Sequence, residues 1–159
     1  MNEMLKDVKL PEGMNPETLE HLMDPKNYGK LDNANCVGVG LDEKTKEYVI
    51  FYTLLNDQII EDIKFATNGC QDTVVIGSMF TQMIKGHDLE YTNTAILKMN
   101  EKLGSMTAQQ KVCADIVFTA FIASMKNFEN LQNGVKEELH ILKMKDSCEA
   151  ENMQGEIDE

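Results

Sequence analysis

Apolar residues keep two different rhythms in this chain. Between Cys36 and Thr67 they come in short runs rich in β-branched and aromatic side chains; from Asp72 onward they recur every three or four residues. The first rhythm predicts strands and the second helices. Cys36-Val37-Gly38-Val39-Gly40 reads as a short strand. Lys46 to Leu55 reads as a longer one, centred on Tyr48-Val49-Ile50-Phe51-Tyr52-Thr53. Asn56-Asp57 turns the chain into Ile59 to Thr67, with Ile59, Glu61, Ile63 and Phe65 on one side and Ile60, Asp62 and Lys64 on the other. Connections this short predict a meander of three antiparallel strands.

Helices are predicted on either side. Asn15 reads as the N-cap of a short helix through Met23, with Pro16 in its first turn and Asp24-Pro25 ending it. Asp72 to Lys85 carries Val75, Met79 and Met83 at helical spacing, and Gly86 closes it. Asp88, a candidate N-cap, leads one or two shorter helices that stop at Gly104. Thr107 reads as the N-cap of a helix through Met125, and a last helix is predicted from Phe128 to Met144 with a break near Gly134. Strands first and helices later predict an α+β fold, a small antiparallel sheet covered by helices. Residues 1–14 read as an N-terminal extension and 15–145 as one domain. Residues 146–159 hold six acids and no base, the composition of a solvated, disordered tail.

Bulk composition narrows the class. Hydrophobic residues make up 42% and charged residues 26% of 159, ordinary values for one small globular domain. The longest nearly apolar run, Ile116 to Ala123, is far too short to cross a bilayer, and Met1 to Asp7 lacks the basic start of a secretory signal. A cytoplasmic protein is expected. Fifteen lysines face 27 acids, a formal net charge of −12, and arginine is absent. Nucleic acid and anionic membranes are excluded as partners on those grounds, and a basic protein is not.

Cysteine stands at 36, 70, 113 and 148 without a CxxC pair, so neither a zinc ribbon nor a thioredoxin motif is indicated. Cys70 follows Gly69 at a strand-to-helix junction. There, unpaired backbone N–H groups and the positive end of the helix dipole favour the thiolate, the form that binds metal and attacks sulfur. A small buried junction residue is the plainer reading of the same position. Cys113 shares a helical face with Ile116, Val117 and Ala120, which suits a core thiol. If that helix started nearer Lys111, Cys113 would gain the activation of Cys70. The methionines at 79, 83, 99 and 125 read as helix core filler.

Four segments, in order, carry a resemblance. They are His21-Leu22-Met23-Asp24-Pro25-Lys26-Asn27-Tyr28-Gly29, then Ile59 to Phe65 followed by Gly69-Cys70, then Met83-Ile84-Lys85-Gly86, and lastly the separation from Cys70 to Cys113. Together they resemble the NifU/IscU-type iron–sulfur cluster scaffold proteins over Leu19 to Lys126. The resemblance implies a scaffold or carrier, not an enzyme, that holds a labile cluster, [2Fe-2S] in type, and passes it to apoproteins. It implies a cysteine desulfurase as partner and leaves room for a homodimer. Cys70 and Cys113 would be the cluster ligands and acceptors of persulfide sulfur.

The chain also departs from that family. Its first cluster cysteine, in an Ala-Cys-Gly-Asp turn, falls on Lys44 here, and the aspartate of that turn falls on Lys46. The histidine before the third cysteine is Val112. Thr107 to Lys111 does not match the family's Leu-Pro-Pro-Val-Lys segment, and Gln71 replaces the glycine after the middle cysteine. Cys36 is a candidate third metal ligand, weighed against a half-buried strand residue; Asp42 and Glu43 are candidate oxygen donors, weighed against solvated loop acids. Cys148 lies in the tail, and His21, His87 and His140 read as surface or capping residues. Two rival functions follow: a degenerate homologue without a cluster that acts as a protein-binding or regulatory subunit, and a zinc protein using Cys70, Cys113 and a nearby donor.

Overall fold

The computed structural model describes residues 16–103 and 107–144. Asn15, Gly104, Cys148, the N-terminal extension and the acidic tail lie outside the described residues. In chain order the elements are α1 (Pro16–Met23), β1 (Cys36–Asp42), β2 (Glu47–Asn56), β3 (Ile59–Thr67), α2 (Gln71–Ile84), α3 (Tyr91–Leu103), α4 (Ala108–Gln132) and β4 (His140–Lys143). The α+β class and the three-strand meander are as expected.

Two expectations change. The sheet has four strands in the order β3-β2-β1-β4, and β4 joins β1 in parallel, so the sheet is mixed. No break separates two helices after Met125. Instead α4 continues to Gln132, Gly134 takes a positive φ of 89°, and the chain returns as the short strand β4 in place of a helix to Met144. Asn127 explains part of this continuity. Fully buried, it accepts the Val37 N–H at 2.9 Å and fixes α4 to the start of β1 beyond the point where a helix end was expected.

One irregularity accounts for the imperfect alternation of β3. The register runs Leu54 to Asp62 and then Leu55 to Ile60, leaving Glu61 as a bulge. The bulge carries Ile60 to the same buried side as Ile63 and Phe65, and it leaves Ile59 and Glu61 exposed.

The core lies between one face of the sheet and helices α2 and α4. Val49, Phe51, Ile63 and Phe65 meet Val75, Ile76, Met79, Phe80, Ile116, Val117 and Phe121 there. Phe80 sits at the centre, with ring centroids 5.2 Å from Phe118, 5.5 Å from Phe121 and 6.3 Å from Phe51. Burying a large apolar side chain of this kind stabilises the fold by about 1.5–3 kcal/mol.

Two glycines decide how α4 lies. A Cβ on Gly38 would stand 1.9 Å from Ser124 N, and one on Gly40 would stand 2.8 Å from Ala120 N and Ile116 O. Bare backbone at both positions lets the helix rest directly on β1. Passing from Gly38 to Gly40 the helix retreats from Ser124 to Ile116, so its N-terminal turns project past the Asp42 end of the strand. That is also the end at which β3 finishes and α2 begins.

Candidate metal centre

Cys70 is the N-cap of α2, with extended backbone at φ −79° and ψ −178°. Asn68 holds the approach to it: its Oδ1 accepts the Tyr48 N–H at 2.8 Å and its Nδ2 donates to Lys46 O at 3.1 Å. Thr67 Oγ1 accepts the Gly69 N–H at 2.9 Å. The junction is therefore laced to the β1–β2 turn.

Cys113 arrives from the other direction, six residues in from Thr107. Thr107 is the true N-cap, as expected, and forms a reciprocal capping box with Gln110. The helix does not start near Lys111, so Cys113 lies in the second turn and lacks the activation of a first-turn thiol.

The two sulfurs meet. Cys70 Sγ and Cys113 Sγ are 3.6 Å apart, with Cys70 exposed and Cys113 only 1% exposed. Thr73 Oγ1 is 3.9 Å from the Cys70 sulfur, and Gln109 Nε2 donates to the Cys113 sulfur at 3.7 Å. An Asp72 carboxylate oxygen completes a group whose ligand atoms all lie within 4.8 Å of one another. Asp72 escaped the sequence reading, which treated it only as the start of a helix. Its signal was the Cys70-Gln71-Asp72 spacing, which puts thiol and carboxylate at one helix entrance.

Opposed environments set the two thiols. At Cys70 burial resists ionisation, but the Thr73 backbone N–H, the Cys113 thiol and the Asp72 N–H outweigh it and hold the pKa below the ordinary value. Both N–H groups belong to the open first turn of α2, at the positive end of its dipole. At Cys113 burial dominates, and with the negative charge of Cys70 and Asp72 it pushes the thiol up to about 11.

The remaining candidates are placed elsewhere. Cys36 opens β1 opposite Thr53, which pairs in turn with Ile63, at the far end of the sheet from the Val49–Thr67 pair. It is 1% exposed, its thiol points to Thr53 O at 3.5 Å, and burial raises its pKa to about 12. The structure does not bring Cys36 to the pair. Asp42 Oδ1 accepts the Lys44 N–H inside the β1–β2 turn, and Glu43 pairs with Lys143 Nζ at 3.0 Å. Lys46 ends that turn at φ +68°.

The histidines differ. His87 is exposed and stacks on Tyr91, and His140 is half-buried beside Glu137. His21, expected as a surface or capping residue, is buried instead: its Nδ1 shares a 2.6 Å hydrogen bond with Ser78 Oγ, and that oxygen accepts the Lys26 N–H at 2.7 Å. Desolvation keeps His21 below its usual pKa. It fastens α1 to α2.

The chain has counterparts among known proteins. The family model for the NifU-like N terminal domain matches residues 14–134. The chain is 30% identical over 148 residues to the iron–sulfur cluster assembly scaffold protein IscU of Aquifex aeolicus, covering 91% of this chain and 92% of that protein. It is 29% identical over 148 residues to iron–sulfur cluster assembly scaffold protein IscU 1 of Archaeoglobus fulgidus, covering 90% and 93%. Over 73 residues, 45% of this chain and 48% of the other, it is 36% identical to the zinc-dependent sulfurtransferase SufU of Bacillus subtilis. In fold it is similar to the N-terminal part of a NifU-like protein from Brucella abortus, with a TM-score of 0.56, 15% identity, and coverage of 73% and 94%. The chain belongs to the NifU-like N-terminal domain family, whose members here include named iron–sulfur cluster assembly scaffolds. No helix among the described residues is long and apolar enough to cross a membrane.

Proposed function

We propose that this protein is an iron–sulfur cluster assembly scaffold or carrier in which Cys70 and Cys113 bind the cargo as thiolates, with Asp72 as an oxygen donor beside them. The observation that carries this reading is the 3.6 Å separation of two sulfurs brought from different elements. Two thiolates on one tetrahedral ion, each bonded at about 2.3 Å, sit about 3.8 Å apart. Both sulfurs therefore suit the same iron of a cluster, and the second iron would draw on donors from outside this pair. Ligation open at one side makes a cluster labile, which is what a carrier needs. In this role the protein receives sulfur from a cysteine desulfurase, gives its cluster to apoproteins, and catalyses no turnover of its own.

The same distance, with Asp72 near, also favours a second reading: a single zinc ion held by Cys70, Cys113 and Asp72 with one open position.

Anaerobic reconstitution with iron and sulfide, followed by transfer to an apo-ferredoxin, tests the first reading. A stoichiometric, chelator-sensitive cluster is expected, absent from Cys70→Ala and Cys113→Ala and retained in Cys36→Ala. Zinc bound in preference, with no cluster formed, would favour the second. The double change Lys44→Cys and Lys46→Asp should tighten cluster binding, because it returns a thiol and a carboxylate to a turn that Asn68 already ties to Cys70. Aspartate also tolerates the positive φ at position 46.

A further inference from the structure

We infer that Cys70 and Cys113 form a dithiol that releases sulfide reductively: Cys70 takes up sulfane sulfur from a persulfide donor, and Cys113 expels it as hydrosulfide by closing a disulfide. The step uses the sulfurs of the proposed metal site but needs no metal.

Exposure assigns the two roles. Cys70 is open to solvent at the entrance of α2, where a protein or small-molecule persulfide can reach it. Cys113 is 1% exposed and closed to any such donor, yet its sulfur stands 3.6 Å from that of Cys70. Bond formation needs an S–S distance of about 2.05 Å, a closure of roughly 1.5 Å. Cys70 sits at a helix cap in extended backbone with no side-chain capping bond to hold its sulfur, so the approach can come from the Cys70 side. Gln109 Nε2 donates to the Cys113 sulfur and orients it. An accessible receiving thiol poised beside a resolving thiol is an arrangement suited to thiol–disulfide exchange.

The atoms and electrons balance within the pair. In loading, the terminal sulfur of the donor persulfide passes to the Cys70 sulfur and the donor leaves as its thiol. In release, the Cys113 thiol gives its proton to the terminal sulfur and its own sulfur attacks the Cys70 sulfur. A Cys70–Cys113 bond forms, the bond to the terminal sulfur breaks, and that sulfur leaves with the electron pair as hydrosulfide. The sulfane sulfur gains two electrons, and two cysteine thiols supply them by becoming a disulfide. A dithiol reductant resets the pair. Sulfide would thus appear where the thiolates for iron stand, and the site would hold metal again only after reduction.

The test uses the full-length reduced protein with Cys148→Ser, under argon and with a chelator to exclude metal. One equivalent of glutathione persulfide is the sulfur donor. About one equivalent of sulfide should be released per chain, with loss of two thiols and a Cys70–Cys113 cross-linked peptide in a non-reducing digest. Cys113→Ser should instead keep a persulfide on Cys70, a gain of one sulfur in intact mass, and release at least tenfold less sulfide. Cys36→Ser should behave as the parent. A parent protein that holds the extra sulfur with no cross-link overturns the proposal, as does sulfide release at the parent rate from Cys113→Ser. The cross-link in the parent decides the matter even if Cys113→Ser does not fold. Because metal is excluded, a negative result here leaves cluster binding standing, and failed cluster reconstitution leaves sulfide release standing.

Discussion

Cys36 and Cys70 each stand where the chain enters a secondary-structure element, and the two ends of the sheet make them opposites. Cys36 enters a strand whose neighbours are already packed. Its sulfur meets a carbonyl oxygen, and burial lifts its pKa to about 12. Cys70 enters a helix, where free N–H groups converge and no strand follows to cover it, so its thiol is exposed and its pKa falls. What a cysteine can do here is set by the type of element it opens and by what lies across from it. At the exposed end a second thiol stands within 3.6 Å, the pair we propose as metal ligands.

The largest contrast should appear in alkylation. With its pKa near 12 in place of 9.0, Cys36 keeps a thiolate fraction roughly a thousandfold below that of an ordinary thiol. Its burial slows the reaction further. Iodoacetamide at neutral pH should therefore label Cys70 first and leave Cys36 untouched until the protein unfolds. Peptide mapping of a time course checks this, and early labelling of Cys36 would break the comparison.

A smaller effect is expected from pH. Metal must displace the proton of Cys113, whose pKa is pushed up to about 11, so affinity should rise as pH rises, by at least about tenfold per unit between pH 6 and 8. Titrations with zinc across that range measure the slope. A flat profile would mean that Cys113 is not a ligand.

The smallest expected effect concerns what holds Cys113 in place. Thr107→Ala removes the capping box and should cost about 1 kcal/mol of stability. It should also loosen the turn that carries Gln109 and speed the labelling of Cys113, while Cys36 stays as slow as before. Thermal melts and the same alkylation course read both quantities.

Much of the fold was legible in the sequence. Short β-branched runs, Gly86, Asp88 and Thr107 act through local chemistry, and the strands and helix starts they mark lie within three residues of expectation, whereas α4 ends at Gln132, seven residues past Met125. Asp88, for instance, accepts the Tyr91 N–H at 3.0 Å as a helix cap should. Cys70 and Cys113 stand out as ligands through the resemblance to NifU/IscU-type scaffolds, not through spacing alone. Features that depend on contacts distant in sequence were not legible. The parallel pairing of β4 with β1 needs α4 laid across the sheet, and Asn127 reaching Val37 is invisible in any local window. His21 looked like a surface residue because nothing near it reveals Ser78, its partner in α2. Cys36 looked available for the same reason: the strand was predicted, but not which end of it would meet α2. Asp72 carries a local signal in its spacing from Cys70, but in the sequence it reads first as an ordinary acid at a helix start.

The most direct test of the two-thiolate centre is a cobalt(II) titration of the reduced protein, followed through sulfur-to-metal charge-transfer absorption. One tetrahedral ion per chain is expected, with absorption intensity matching two thiolates. That intensity should halve or vanish in Cys70→Ala and in Cys113→Ala and stay unchanged in Cys36→Ala. No charge-transfer band in the parent protein, or a band that survives the loss of Cys70, would contradict it.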